Sequence, residues 1–204
     1  MLDNTQIEQN KERFLSILNQ LPELTDMNRL YRFDALIDML NNSDWFIAPG
    51  STKYHHAWEG GLCQHSLEVY DNLKEINEKK CLGYTEDSII ICGLLHDLAK
   101  VNYYEPTSFN KKIDGKWVAI PGYKTTDNPI PFGNHEETSA WMIRQYIGLT
   151  FDEEVAILNH HAGMSFDSVK QVSGQVWNNN LFVALHLADM MSAYIDNSKD
   201  KVLC

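Results

Sequence analysis

Cysteine is scarce: the 204-residue chain has four, Cys63, Cys81, Cys92 and Cys204, and none is spaced as C-x-x-C. That excludes a thiolate metal clip by spacing. Two of the four sit in apolar helical contexts, so reduced structural thiols are expected. Long hydrophobic runs are missing as well. The longest, around residues 88 to 95, stops at His96, far short of the roughly 18 to 20 apolar residues that cross a bilayer. The N-terminus, MLDNTQIEQNKE, is polar and acidic where a signal peptide would be basic and then apolar. A soluble cytoplasmic protein with no membrane partner is expected. Positive charge is in deficit, 17 Lys and Arg against 28 Asp and Glu for a net charge of -11. This disfavours tracking a long nucleic acid, whose affinity comes from many Lys and Arg contacts to phosphate. There is no G-x-S-x-G and no P-loop, so Ser-based hydrolysis and Walker-type phosphoryl transfer have no motif to rest on.

What is present is helical periodicity. With 44% apolar residues and no repeat or low-complexity linker, the default is one domain over 1–204. Ile7, Phe14, Leu15 and Leu18 predict an amphipathic helix over 5–20. Leu30, Phe33, Leu36, Ile37 and Leu40 predict another over 27–41, so the N-terminal helices occupy 1–45. A turn-rich, aromatic stretch over 42–61 leads into a helix over 62–79, and Thr85 is a candidate N-cap for a helical run that reaches Lys100. Residues 101–133 break the pattern. Asp114-Gly115 is a preferred type I′ pair, so a small β-hairpin over about 105–125 is expected within an insert that could serve as a lid. Helices resume over 134–147, 151–161 and 178–195, with a polar loop over 162–177, and Thr150 and Glu153 are spaced as a capping box.

Histidines and buried-looking carboxylates stand out against this background. His96-Asp97 end the apolar run, where they could be a packed His beside a capping Asp or a metal-binding pair. His65 lies on the apolar stripe of its helix, where an unsatisfied ring is costly. His135 opens a helix, His160-His161 end another, and Asp189 sits inside LHLADMMS, where a carboxylate needs a cation or strong donors. Singly each is more often a core or capping residue; together they are explained most economically by a shared metal centre. Imidazole and carboxylate donors suit Mn, Fe, Co, Ni or Zn, one or two ions. Lys100, four residues after His96 and three after Asp97, projects to the same side, unless it is simply a solvated cation at a helix end. Five lysines at 100, 111, 112, 116 and 124 face three acids over 100–134, a patch that could receive a small anion or be a solvated loop.

The ordered set His65, His96-Asp97, His135, His160, Asp189 resembles the HD-domain metal-dependent phosphohydrolase superfamily, named for its His-Asp pair. The string H55-H-A-W-E-G-G-L-C-Q-H-S66 is similar to the His-His-Ala-Tyr-x-Gly-Gly-Leu-x-x-His-Thr run opening the HD domain of bacterial 3′-to-5′ exoribonucleases and their stand-alone relatives. The resemblance covers about 53–195, the metal-site core. It implies an all-α HD-domain helical bundle carrying the inserted hairpin. It also implies one ion on His65, His96, Asp97 and Asp189, with Asp97 bridging to a second on His135 and His160. His161 would be a further ligand or a substrate hydrogen-bonding group, and a lysine at the place of Lys100 contacts phosphate. Catalytic roles then fall to Asp97, Lys100 and His161.

Candidate substrate contacts are Lys100, His56, Lys112 and Tyr104. His55 or His56 would sit at the mouth of the site or serve structurally, and His186 is expected in the core or behind a ligand. Tyr103, Tyr104, Trp117 and Tyr123 either stack on a base or pack the hairpin. The expected activity is hydrolysis of a phosphomonoester or phosphodiester of a nucleotide or short oligonucleotide by metal-activated hydroxide. Two alternatives are a mixed-valent di-iron oxygenase, which some members of the superfamily are, and a non-catalytic nucleotide sensor.

Overall fold

In the computed structural model, residues 1–127, 132–161 and 174–196 are described. The elements run α1 (Asn4–Leu18), α2 (Leu21–Leu24), a 3₁₀ turn (Met27–Arg29), α3 (Phe33–Asn41), α4 (Gly61–Lys79), α5 (Glu86–Leu95) and a second 3₁₀ turn (Leu98–Lys100). Then come the hairpin strands β1 (Tyr104–Ile113) and β2 (Lys116–Thr125), followed by α6 (His135–Ile143), α7 (Phe151–Asn159), α8 (Gly174–Trp177), α9 (Asn180–Met190) and a π-helical turn (Met191–Ile195). The architecture is the expected helical one with an inserted hairpin. Most of the 162–177 loop, residues 162–173, and Cys204 lie outside the described residues.

α5 is the axis of the molecule. Every residue from Asp87 to Leu95 is buried, as expected of a helix that is apolar all round. Ile89, Ile90, Ile91, Leu94 and Leu95 are fully shielded, each contributing about 1.5–3 kcal/mol of hydrophobic stabilisation. That anchoring fixes the position of the His96-Asp97 end. α4 packs along α5 at a close approach: a Cβ on Gly93 would lie 2.6 Å from Tyr70 Cα, so only glycine lets the two backbones meet there. α4 starts without a side-chain cap, its first donors going to backbone carbonyls of the preceding loop, including Leu62 N–H to Ala48 O at 3.0 Å. A Cβ on Gly61 would sit 2.0 Å from His56 O. Gly61 therefore lets the His55-His56 loop lie against the helix start, while Gly60, at φ 78°, faces Ile7 of α1.

Several boundaries differ from the sequence expectation. The helix predicted over 27–41 begins only at Phe33, because tertiary bonds hold the segment before it. Arg32 N–H donates to Tyr146 O and Arg29 O accepts from Gly148 N–H, while the Arg29 guanidinium pairs with Asp87 at 2.9 Å and Glu153 at 2.6 Å. The run to Lys100 is not one helix: it stops at Leu95, and Ala99 N–H leaves the helical pattern for Ser139 Oγ at 3.0 Å. Thr85 is the N-cap of α5 but makes no capping bond, its hydroxyl reaching Ser88 Oγ instead. The helix predicted over 134–147 ends at Ile143, and the one over 178–195 is α-helical to Met190 and π-helical beyond. The Thr150–Glu153 capping box is present as expected.

The hairpin pairs Tyr104 with Thr125 at its base and Ile113 with Lys116 at its tip. Asp114 and Gly115 have φ of 49° and 81°, the two positive values a type I′ turn requires. No helix among the described residues is long and apolar enough to cross a membrane.

Candidate metal centre

The helix ends converge on Asp97, which is 1% exposed. Its Oδ2 lies 3.6 Å from His65 Nε2 and 3.5 Å from His96 Nε2. Its Oδ1 lies 3.5 Å from His135 Nε2 and 3.7 Å from His160 Nε2. One carboxylate thus faces two histidine pairs, one with each oxygen. Asp189 completes the first side, with Oδ1 3.1 Å from His65 Nε2.

Hydrogen bonds behind the rings decide where each proton sits. His96 Nδ1 meets the carbonyl of Gly93 at 3.0 Å and His160 Nδ1 that of Ile157 at 2.7 Å. A carbonyl only accepts, so Nδ1 carries the hydrogen and Nε2 presents a bare lone pair. His135 Nδ1 faces Glu136 Oε2 at 3.5 Å, which leaves its Nε2 bare as well. Burial pushes the His65 ring down to about 4 and that of His135 to about 3, and lowers His160. These rings are neutral at pH 7.

A cation fits this arrangement. His65 Nε2 and His96 Nε2 are 3.3 Å apart, with the His96 lone pair turned toward His65. Asp97 Oδ1, His135 Nε2 and His160 Nε2 are buried with no hydrogen-bond partner, each costing about 1–3 kcal/mol if left so. Donors around an ion at ~2.1 Å are neighbours at roughly 3.0–3.4 Å, close to the 3.1 and 3.3 Å spacings observed. His65–His96–Asp189 and His96–Asp97–His160 each group as potential ligand sets, as do His135–His160–His161.

Charge agrees. Burial opposes ionisation of Asp97, but Lys100 holds it well below the usual carboxylate range. Asp189 is likewise held down by His161 against its burial. Glu136, lowered to about 2 by His161 despite burial, adds a third negative charge. Lys100 is also buried, with Nζ 2.7 Å from Asp97 Oδ2 and 3.2 Å from Gly50 O, so it is no solvated helix-end cation. The Asp97 charge raises its pKa in spite of desolvation.

His161 is placed differently from the other histidines. Nε2 lies 2.9 Å from Asp189 Oδ2 and Nδ1 3.3 Å from Glu136 Oε1. Burial disfavours its charge, yet the two carboxylates raise it to about 10, so it carries a proton on each nitrogen. It bridges carboxylates rather than facing Asp97.

The remaining candidates divide. Tyr104 Oη comes within 3.5 Å of Gly50 O, the carbonyl that Lys100 also uses. Lys112 is not brought to the centre: it pairs with Trp117 near the hairpin tip, some eight residues or ~26 Å of strand from Tyr104. His56 is fully buried, its Nε2 2.9 Å from Glu68 Oε2 and its ring 5.3 Å from that of His65. His55 is the half-buried neighbour, its ring 5.2 Å from that of His65. His186 Nδ1 sits 2.6 Å from His160 O, behind a ligand candidate. Of the insert aromatics, Trp117 is 72% exposed.

Sequence reasoning missed Glu136, Glu68 and Ser192 as site residues. Glu136 had one signal, its place next to His135 in the first turn of α6. Glu68 and Ser192 had only their spacing, three residues after His65 and three after Asp189.

A helical domain that gathers five histidines and two aspartates at the ends of α4, α5, α6, α7 and α9 is a metal-binding one by class. The family model for the HD domain matches residues 62–175, more than half the chain, and the chain belongs to the HD domain family, whose members are generally metal-dependent phosphohydrolases. No curated protein and no solved structure matched the chain.

Proposed function

We propose that the protein hydrolyses a phosphate ester of a nucleotide or short oligonucleotide, with one or two divalent transition-metal ions at the Asp97 centre. The observation that carries the reading is the division of Asp97, one oxygen toward His65 and His96 and the other toward His135 and His160. His65, His96, Asp97 and Asp189 would hold one ion, and Asp97, His135 and His160 the other. Bound there, such ions neutralise charge developing at phosphorus and activate water for attack.

The protein's own groups do the rest. Lys100 fixes the Asp97 carboxylate and sets a permanent positive charge beside it, where an anionic substrate arrives. His161 holds a proton at Nε2 against Asp189 and another at Nδ1 against Glu136, next to the α6 start. The buried surroundings exclude bulk water and strengthen each of these charges. Tyr104, whose hydroxyl reaches the Gly50 carbonyl beside Lys100, would lie against the substrate.

The test is release of phosphate or nucleoside from a panel of mono-, cyclic and dinucleotides with Mn, Fe, Co, Ni and Zn. Turnover that is lost on chelation and restored by one of these metals is the expected result. No turnover of any of them overturns the proposal. Oxygen uptake with a mixed-valent iron signal would instead support an oxygenase.

A further inference from the structure

We infer that Glu68, acting through Ser192, is the positioning residue that sets the proton of His65 and so turns its Nε2 lone pair toward the first ion. The inference rests on the metal-centre reading above but concerns residues outside it.

Three groups converge on the Glu68 carboxylate: Gln64 Nε2 at 2.9 Å, His56 Nε2 at 2.9 Å and Ser192 Oγ at 2.7 Å. A carboxylate without a hydrogen can only accept, so each of the three must donate. Ser192 has a single hydroxyl hydrogen, and giving it to Glu68 leaves its oxygen as an acceptor. His65 Nδ1, 2.9 Å from that oxygen, must therefore carry a hydrogen. Its Nε2 is then bare and lies against Asp189, Asp97 and His96, where the cation fits.

The backbone supports this arrangement. Asp189 and Ser192 are three residues apart at the junction of α9 and the π-helical turn, and they hold opposite nitrogens of one ring, at 3.1 and 2.9 Å. A π turn is a common device at functional sites. His96 and His160 obtain the same tautomer from a carbonyl in their own helix. His65 has no such carbonyl bond, and the Glu68–Ser192 relay supplies what the others get locally. Through His56 the same carboxylate ties down the loop that covers the start of α4.

The experiment measures the relay without needing turnover. In the metal-free protein, nitrogen NMR of the imidazoles should show His65 protonated at Nδ1; Glu68→Gln, whose amide can donate to Ser192, should lose that preference. Metal titration should show two ions in the wild type. Glu68→Gln should weaken the first ion 10- to 100-fold, the usual loss when a group behind a ligand is removed, and leave the ion on His135 and His160 unchanged. Ser192→Ala should reproduce both effects, and the double variant should be no worse than either single one. A wild type that takes up no metal refutes the metal-centre reading, while the NMR arm still decides the relay. An unchanged His65 tautomer in Glu68→Gln, or equal weakening of both ions, overturns the inference.

Discussion

Replacing Asp97 with Asn tests the centre at its shared atom pair. An asparagine offers one oxygen and one NH₂ where the carboxylate offered two anionic oxygens. Its oxygen carries no full charge and its NH₂ cannot ligate a cation, so neither histidine pair keeps the anionic oxygen that now lies 3.5–3.7 Å away. An ion present at 100 times its Kd stabilises the folded protein by about 2.7 kcal/mol, which for a chain of this size raises Tm by about 5–11 °C per ion. Thermal unfolding with and without Mn or Zn should show that rise in the wild type and none in Asp97→Asn. The metal-free variant should itself be weakened, because Lys100, 6% exposed, loses its counter-ion, and stranding a buried charge costs about 3–5 kcal/mol. Adding Lys100→Met removes the stranded ammonium and should recover most of that loss while leaving the protein blind to metal. A full metal-induced rise in Asp97→Asn would refute the assignment of Asp97 as the common ligand.

Arg29→Met should cost about 3–5 kcal/mol in urea unfolding, because it leaves Asp87 and Glu153, side chains 8% and 0% exposed, without their cation; a loss under about 1 kcal/mol would refute the buried-pair account. Metal-free stability should fall as pH drops below the ordinary histidine value of 6.5 toward 3, since the unfolded chain then binds protons that burial denies to His65 and His135, held down to about 4 and about 3. His161 acts in the opposite sense: its contribution is complete below 6.5 and is lost as pH rises through about 10. Urea midpoints across this range should peak near pH 6.5–7, and a midpoint still rising as the pH falls to 4 would contradict the neutral-histidine assignment. Trp117→Ala should leave both stability and KM unchanged, the ring being 72% exposed and paired with Lys112 near the hairpin tip, away from the centre; a KM raised several-fold would refute that placement.

The features legible from sequence were those set by local pattern. His65, His96, Asp97, His135, His160 and Asp189 could be chosen because each is a polar residue on an apolar stripe or at a helix end. The Asp114-Gly115 turn and the Thr150–Glu153 cap were readable for the same reason, two residues at a fixed offset. What could not be read were groups whose role comes from a neighbour distant in sequence. Arg29 looks like one more residue of an amphipathic helix until Asp87 and Glu153 pull it out of helical register. Glu68 looks solvent-facing on α4 until Ser192, 124 residues away, meets it at 2.7 Å.

Function follows the same division. Ligand type is a local property, so the class of metal chemistry could be inferred before any coordinates. Protonation is not local: of two adjacent histidines, His160 is kept neutral by burial and by the charge of His161, its one hydrogen on Nδ1 against a backbone carbonyl, and His161 is charged because two carboxylates flank it. The sequence HH is the same at both positions; only the fold makes one a bare donor to a cation and the other a proton carrier beside it.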